Sequence, residues 1–345
     1  MALQHGHADH SGSGKTIHVS SREQAKHLVD KYDTFLFDCD GVIWTGPAGD
    51  TLTPNILETL SYLRSLGKHV AFITNNATSS RQTYHDKFQG FGIETSIEEI
   101  FTCGSATADY LRDEVFPRRE REGKKKGIYL IGQKAMEEEF QEAGLNWKGG
   151  TLMTDLLRVY RTQKMDVLLA PQDFSSIHPD PEIGVVVYAF QMRINYKQLA
   201  KAYNYLSSNP WCELILTNDD QNFLLPSGGY VPGEGAIASV LFGALPKGTK
   251  PLIVGKPHQP LLDIVHTALR FDLRKTLFVG DRLATDILFA KRGQIDSLLV
   301  FTGIQRKEDV LGLEQSERPE WMAENVGVLL QAKEVEGEGK EELRN

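Results

Sequence analysis

The sequence predicts an α/β protein: a parallel sheet flanked by helices, with a second α/β domain in the middle of the chain. Three observations carry the prediction. Thr34-Phe35-Leu36-Phe37 is an apolar run with the composition of a buried parallel strand. A helical pattern and a second apolar run, His69-Val70-Ala71-Phe72-Ile73, follow it. Strand, helix, strand in that order is a βαβ unit, which makes the sheet parallel. Finally, the chain has 345 residues, more than one typical domain and about two by length.

The first strand leads directly into Asp38-Cys39-Asp40-Gly41-Val42. Positions i and i+2 of a strand point to the same face, so if the extended backbone persists past Phe37, Asp38 and Asp40 look into one space at the strand's C-terminal end. Open α/β sheets bind ligands there. Two like charges that close are costly unless a cation shares them or one holds a proton. Either remedy is a catalytic device, a metal ligand in the first case and a general acid in the second. The plainer alternative is a strand end capped by an Asx-turn.

The remaining elements follow in order. Residues 1–18 are rich in His, Gly and Ser and read as a disordered N-terminus, rather than a metal tract through His5, His7 and His10. Gly12-Ser13-Gly14-Lys15-Thr16 resembles the end of a P-loop. However, Asp9 stands where its first glycine belongs and no strand precedes it, so that reading is rejected. Thr53-Pro54 reads as a helix N-cap with proline at the first helical position. Ile56, Leu57, Leu60, Leu63 and Leu66 follow at helical spacing, and Gly67 supplies the stop. Thr74-Asn75-Asn76 ends the second strand, and Ser79-Ser80-Arg81 opens another helix.

Six of the nine residues from Arg118 to Lys126 are basic. In an acidic chain of net charge -8 this run reads as a solvated linker and a domain boundary, not a nucleic-acid patch. Gly127–Gly132, Asp166–Ala170, Gly184–Phe190 and Leu214–Asn218 then read as strands of the second domain. Ser227-Gly228-Gly229 and Pro232-Gly233-Glu234-Gly235 bring the chain back. Pro251–Val254 leads to Gly255-Lys256-Pro257, Thr276–Val279 leads to Gly280-Asp281, and Ser297–Phe301 is the last strand. Residues 333–345 form a charged tail read as disordered.

Asp38 with Asp40, Thr74, Lys256 and Asp281 thus end four apolar strands, and four such endings in one parallel sheet would converge on one crevice. Together they offer a nucleophile, an acid/base, a hydroxyl, a cation and a further carboxylate. Phosphoryl transfer needs those parts, because charge on the phosphoryl oxygens must be neutralised and the attack held in line. A carboxylate-rich, histidine-free set suits Mg²⁺ over zinc or copper. Cys39, Cys103 and Cys212 form neither a disulfide framework nor a zinc spacing. No signal peptide and no membrane-spanning run is apparent, so the expectation is a cytoplasmic protein, with the nucleus left open.

Asp38-Cys39-Asp40-Gly41-Val42 resembles the first motif of the haloacid-dehalogenase (HAD) superfamily of phosphatases. Thr74, Lys256 and Gly280-Asp281 with Asp286 look like its second, third and fourth motifs. Phe37–Trp44, Thr74-Asn75-Asn76, Pro232-Gly233-x-Gly235, Gly255-Lys256-Pro257 and Gly280–Ile287 are similar to the eukaryotic 4-nitrophenylphosphatase, or phosphoglycolate phosphatase, family. The resemblance implies a Rossmann-like core over 19–118 and 231–332, with a C2-type cap, residues 119–230, inserted between the second and third motifs.

It also implies roles. Asp38 would be the nucleophile that becomes an aspartyl-phosphate, and Asp40 the acid and then the base. Thr74, Asn75, Asn76 and Lys256 would bind the phosphoryl group. Asp38, the Asp40 backbone carbonyl, Asp281 and Asp286 would hold Mg²⁺. Small phosphate esters become the expected substrates and a homodimer through the cap the expected assembly, with no nucleic-acid or membrane partner. Some positions depart from the pattern: Ala284 stands where relatives often carry Asn, Gln191 where many carry Asp, and Glu234 where a small residue is usual. Phe223 falls near the place where the pyridoxal-phosphate phosphatase branch has a histidine. Alternatives on the same core are a pyridoxal-phosphate, nucleotide or protein phosphatase, a phosphotransferase or mutase, and a non-catalytic binding protein.

Overall fold

Thr34–Phe37 is a strand whose residues are all buried, with Phe35, Leu36 and Phe37 fully shielded from solvent. Only a strand covered on both faces needs so unbroken an apolar run. The computed structural model describes residues 16–46, 49–151, 177–224 and 229–333. The expected strand Asp166–Ala170, the Ser227-Gly228 pair, the His-rich N-terminal stretch and nearly all of the tail lie outside the described residues. The chain divides into two compact units. One contains Met1–Ile73, Phe88–Glu99 and Leu269–Asn345, and the other Thr74–Lys87 and Ile100–Ala268.

In the first unit, parallel strands run in the order Ile17–His18, Trp321–Ala323, Asp296–Val300, Thr276–Gly280, Thr34–Phe37 and His69–Thr74. The chain leaves Thr34–Phe37 on one side, toward His69–Thr74, and returns on the other, at Thr276–Gly280. That reversal is a topological switch point, where strand C-terminal ends open a crevice. Val279 pairs with Phe37, so Asp38 and Asp281 leave their strands at the same end.

The helix Ile56–Ser65 buries Ile56, Leu60 and Leu63, while Leu57 and Leu66 are exposed. It ends as expected at Gly67, with φ 72°. The Gly67 N–H donates to Arg64 O at 2.9 Å and the Lys68 N–H to Leu63 O at 3.1 Å, a Schellman stop. Its start corrects the expectation. Thr53 is not the cap, because its hydroxyl donates to Val42 O at 2.7 Å and ties the loop after Asp40. Asn55, at φ 59°, occupies the N-cap without a side-chain bond.

The second unit holds a five-stranded parallel sheet in the order Leu252–Ile253, Glu213–Leu216, Ile183–Tyr188, Gly127–Ile131 and Trp147–Gly149. The strand that leads to Lys256 therefore belongs to this sheet, which corrects the expectation of four polar strand ends in one sheet. Its pairing continues past Ile253, with the Val254 N–H on Leu216 O at 3.0 Å and the Gly255 N–H on Thr217 O at 2.8 Å. Two residues carry no signal of which sheet they will join.

One residue of the basic run departs from the expected solvated linker, while the other five basic side chains are at least partly exposed. Arg119 sits in the helix Phe116–Arg121 and is fully buried. Its guanidinium donates to Glu213 Oε1 at 2.6 Å, Lys125 O at 2.6 Å and Trp211 O at 3.1 Å. A buried guanidinium must be paired, and here it clamps three segments of this unit.

Candidate active site

The first unit gathers three carboxylates. Asp38, Asp281 and Asp286 are buried, and one ligand oxygen from each lies within 4.8 Å of the others. Glycines make room for them. A Cβ on Gly41, whose φ is 89°, would lie 2.6 Å from Asp281 Oδ2, and one on Gly303 only 1.8 Å from it. A Cβ on Gly280 would lie 2.2 Å from the Asp286 Cβ. Backbone N–H groups aim the carboxylates. The Ile304 N–H donates to Asp281 Oδ2 at 2.8 Å, and the Cys39 N–H to Asp38 Oδ1 at 2.8 Å. Asp286 Oδ2 accepts from the N–H groups of Asp281 at 3.2 Å and Arg282 at 3.0 Å.

Three buried carboxylates this close require a cation or protons. The cluster offers oxygen ligands alone, with neither imidazole nor thiolate, so it fits a hard divalent ion such as Mg²⁺. Asp40 stands apart from the cluster. It is exposed, and its Oδ1 accepts from Trp44 Nε1 at 2.9 Å. The Gly41 N–H donates to Trp44 O at 2.8 Å and Thr302 Oγ1 to Gly41 O at 2.5 Å, which fixes the turn that follows Asp40.

The second unit brings together other expected residues. Thr74 is buried, and its Oγ1 accepts from the Asn76 N–H at 3.1 Å. Asn76 Oδ1 accepts from the Thr78 N–H at 2.8 Å and Thr78 Oγ1 at 2.6 Å. Asn75 grips the backbone of Lys256: its Nδ2 donates to Lys256 O at 2.8 Å, and its Oδ1 accepts from the Lys256 N–H at 2.8 Å. Lys256 itself is buried.

Behind this pair lies Glu234, with both carboxylate oxygens bonded to Thr217 and Asn218. Burial pushes its carboxyl up to about 8, against the pull of the Asn218 N–H and the Thr217 hydroxyl. Phe223 is 40% exposed, and its ring meets Phe190 edge-on at 5.5 Å. Gln191 is buried, donating to Gly132 O at 2.7 Å and accepting from the Arg193 N–H at 3.1 Å. It holds its own turn.

Sequence reasoning missed the supports: the Ile304 N–H, the room left by Gly303, the Trp44 bond to Asp40 and the Asn75 grip on Lys256. Thr302-Gly303 after the last strand was a legible signal, since glycine at a strand end permits close approach. The others depend on contacts between residues far apart in sequence.

Residues 35–146 match the family described as haloacid dehalogenase-like hydrolase, and residues 253–329 match a second HAD-hydrolase-like pattern. The chain is 35% identical over 313 residues to the 4-nitrophenylphosphatase of Schizosaccharomyces pombe, covering 90% of this chain and 97% of that protein. It is 34% identical over 313 residues to phosphoglycolate phosphatase 1A, chloroplastic, of Arabidopsis thaliana, covering 90% and 80% of the two chains. Among solved structures, the 4-nitrophenylphosphatase of Thermotoga maritima superposes with a TM-score of 0.69 at 27% identity, covering 89% of this chain and 99% of that one.

Proposed function

Because the chain belongs to the haloacid dehalogenase-like hydrolases, we propose that it is a Mg²⁺-dependent phosphomonoesterase acting on small phosphorylated metabolites such as 2-phosphoglycolate. The observation that carries the reading is the buried cluster of Asp38, Asp281 and Asp286 at strand ends beside the switch point. Relatives named for 4-nitrophenyl phosphate and phosphoglycolate support the substrate class.

In this reading Asp38 attacks phosphorus, the ester P–O bond breaks, and Asp40 gives its proton to the leaving oxygen. Asp40 then takes a proton from the water that cleaves the aspartyl-phosphate. Covalent catalysis of this kind divides one hard displacement into two easier ones. Thr74 and the Asn75-Asn76 backbone bind phosphoryl oxygens, and Lys256 neutralises charge on the group. Asp38, the Asp40 carbonyl, Asp281 and Asp286 hold Mg²⁺, which when bound supplies further neutralisation of the phosphoryl oxygens.

The reading includes a core of 19–118 and 231–332, a cap of 119–230 and a cytoplasmic place of action. It also includes a homodimer through the cap, supported by the exposure there of Met192, Tyr196 and Tyr230. Among the described residues no helix is long and apolar enough to cross a membrane. The deciding experiment is phosphate release from 4-nitrophenyl phosphate and from a panel of phosphorylated metabolites, with Mg²⁺ and with excess EDTA. Mg²⁺-dependent release is expected. No release from any ester, or full release in EDTA, overturns the reading.

A further inference from the structure

Glu234 opens the helix Glu234–Ala244, behind an N-cap glycine that has no side chain to offer. Its carboxylate is 2% exposed and turns to the segment that follows the strand Glu213–Leu216. Oε1 accepts from the Asn218 N–H at 3.0 Å and Oε2 from Asn218 Nδ2 at 3.0 Å. Thr217 Oγ1 lies 2.8 Å and 2.7 Å from the two oxygens. Asn218 Nδ2 also donates to Asn75 O at 3.0 Å, so the one amide bridges Glu234 and Asn75. Asn75 in turn holds the Lys256 backbone from both sides. Gly255 fits this joint closely, since a Cβ there would meet Thr217 O at 2.6 Å and Asn75 Oδ1 at 2.7 Å.

We propose that Glu234 is a positioning residue for Lys256, acting through Asn218 and Asn75. The inference rests on the phosphatase reading and adds to it a residue that no motif supplies. A carboxylate suits the place because both of its oxygens must accept from Asn218. A protonated carboxyl still can, with its hydrogen turned toward Thr217 Oγ1. A carboxamide cannot, because its NH₂ end has no lone pair to offer and meets an Asn218 N–H whichever way it lies. Glu234→Gln therefore preserves shape and volume while breaking the chain of bonds that ends at Lys256.

The test measures kcat and KM for 4-nitrophenyl phosphate with Mg²⁺ in wild type, Glu234→Gln, Asn218→Ala and the double variant, with thermal unfolding as the fold check. The lysine charge counts most where charge develops in the transition state, so kcat should fall about tenfold in Glu234→Gln while KM moves less than about twofold. Asn218→Ala should show the same split and carries the test if Glu234→Gln fails to fold. The double variant should be no slower than the slower single one, because both act along one path. An active wild type with kcat within about twofold in both singles, or with fully additive losses, overturns the proposal alone. A wild type that releases no phosphate overturns the phosphatase reading and this proposal with it.

Discussion

Gly303 and Asp281 are matched in size: a Cβ on Gly303 would lie 1.8 Å from Oδ2 of Asp281. Glycine is thus required by the carboxylate's position and not by a turn. Gly303→Ala should displace Asp281 and raise the Mg²⁺ concentration for half-maximal activity by about tenfold or more, roughly 1.4 kcal/mol of lost binding. Gly312→Ala is the control, since its nearest neighbour is Asp309 O at 3.9 Å. A Mg²⁺ titration of phosphate release in the three proteins checks both expectations.

Asp38→Asn should abolish turnover and leave a folded protein, since an amide is a poor nucleophile toward phosphorus and no neighbour replaces it. Purified Asp38→Asn protein that unfolds cooperatively yet hydrolyses at more than a trace of the wild-type rate would remove Asp38 as nucleophile.

Ca²⁺ should bind the carboxylate cluster and depress activity. It accepts oxygen ligands but takes more of them, at longer distances and in looser geometry, which disturbs in-line attack. Mg²⁺ at about a hundred times its dissociation constant should stabilise the wild type by about 2.7 kcal/mol, and Asp281→Asn should lose most of that gain. Thermal shifts with each ion, beside rates, separate binding from turnover.

Glu139 gives a pH dependence of stability. It is buried and accepts from the Arg81 N–H. Burial pushes its carboxyl from 4.5 up to about 7, with Asp109 and Glu142 adding to the rise. The folded protein therefore holds a proton that the unfolded chain releases, so this contribution is complete below pH 4.5 and is lost as pH rises through about 7. Glu139→Gln keeps an acceptor for Arg81 and has no proton to lose. Its melting temperature should gain on the wild type between those two values, by on the order of a few kcal/mol in stability, and run parallel above them. Parallel curves throughout would mean that Glu139 does not titrate in that range.

On the proposed function, Phe223 bears on substrate choice. The resemblance puts the ring-gripping histidine of the pyridoxal-phosphate phosphatase branch near this position, and this chain has the half-exposed ring of Phe223 there instead. 2-Phosphoglycolate should therefore show a higher kcat/KM than pyridoxal 5'-phosphate. The reverse preference by about tenfold, roughly 1.4 kcal/mol, would contradict the substrate assignment.

The Asp38 strand, its helix and the Asp281 strand were legible because their signals are local: unbroken apolar runs, helical spacing and a glycine stop. The fate of Leu252-Ile253 was not, because a two-residue strand joins whichever edge tertiary packing presents. Thr53 misled because a threonine before proline looks like a cap until Val42 and Ile43 claim its hydroxyl. Arg119 misled because a basic run looks solvated until Glu213, ninety-four residues away, supplies a buried partner. For the candidate site, the carboxylates were legible as residues, and what orients them was not. An N–H such as that of Ile304 has no side-chain signature.

The indole of Trp44 donates to Asp40 at 2.9 Å and is packed against Phe88 at 5.0 Å and Phe91 at 6.0 Å. A fluorophore is thereby wired to the proposed acid. Its emission depends on the charge beside Nε1, so a protonated Asp40, or one drawn away toward a leaving group, changes the signal without any added label. With Trp147, Trp211 and Trp321 replaced by Phe, the remaining emission would report on the surroundings of the Asp40 carboxylate through a single turnover.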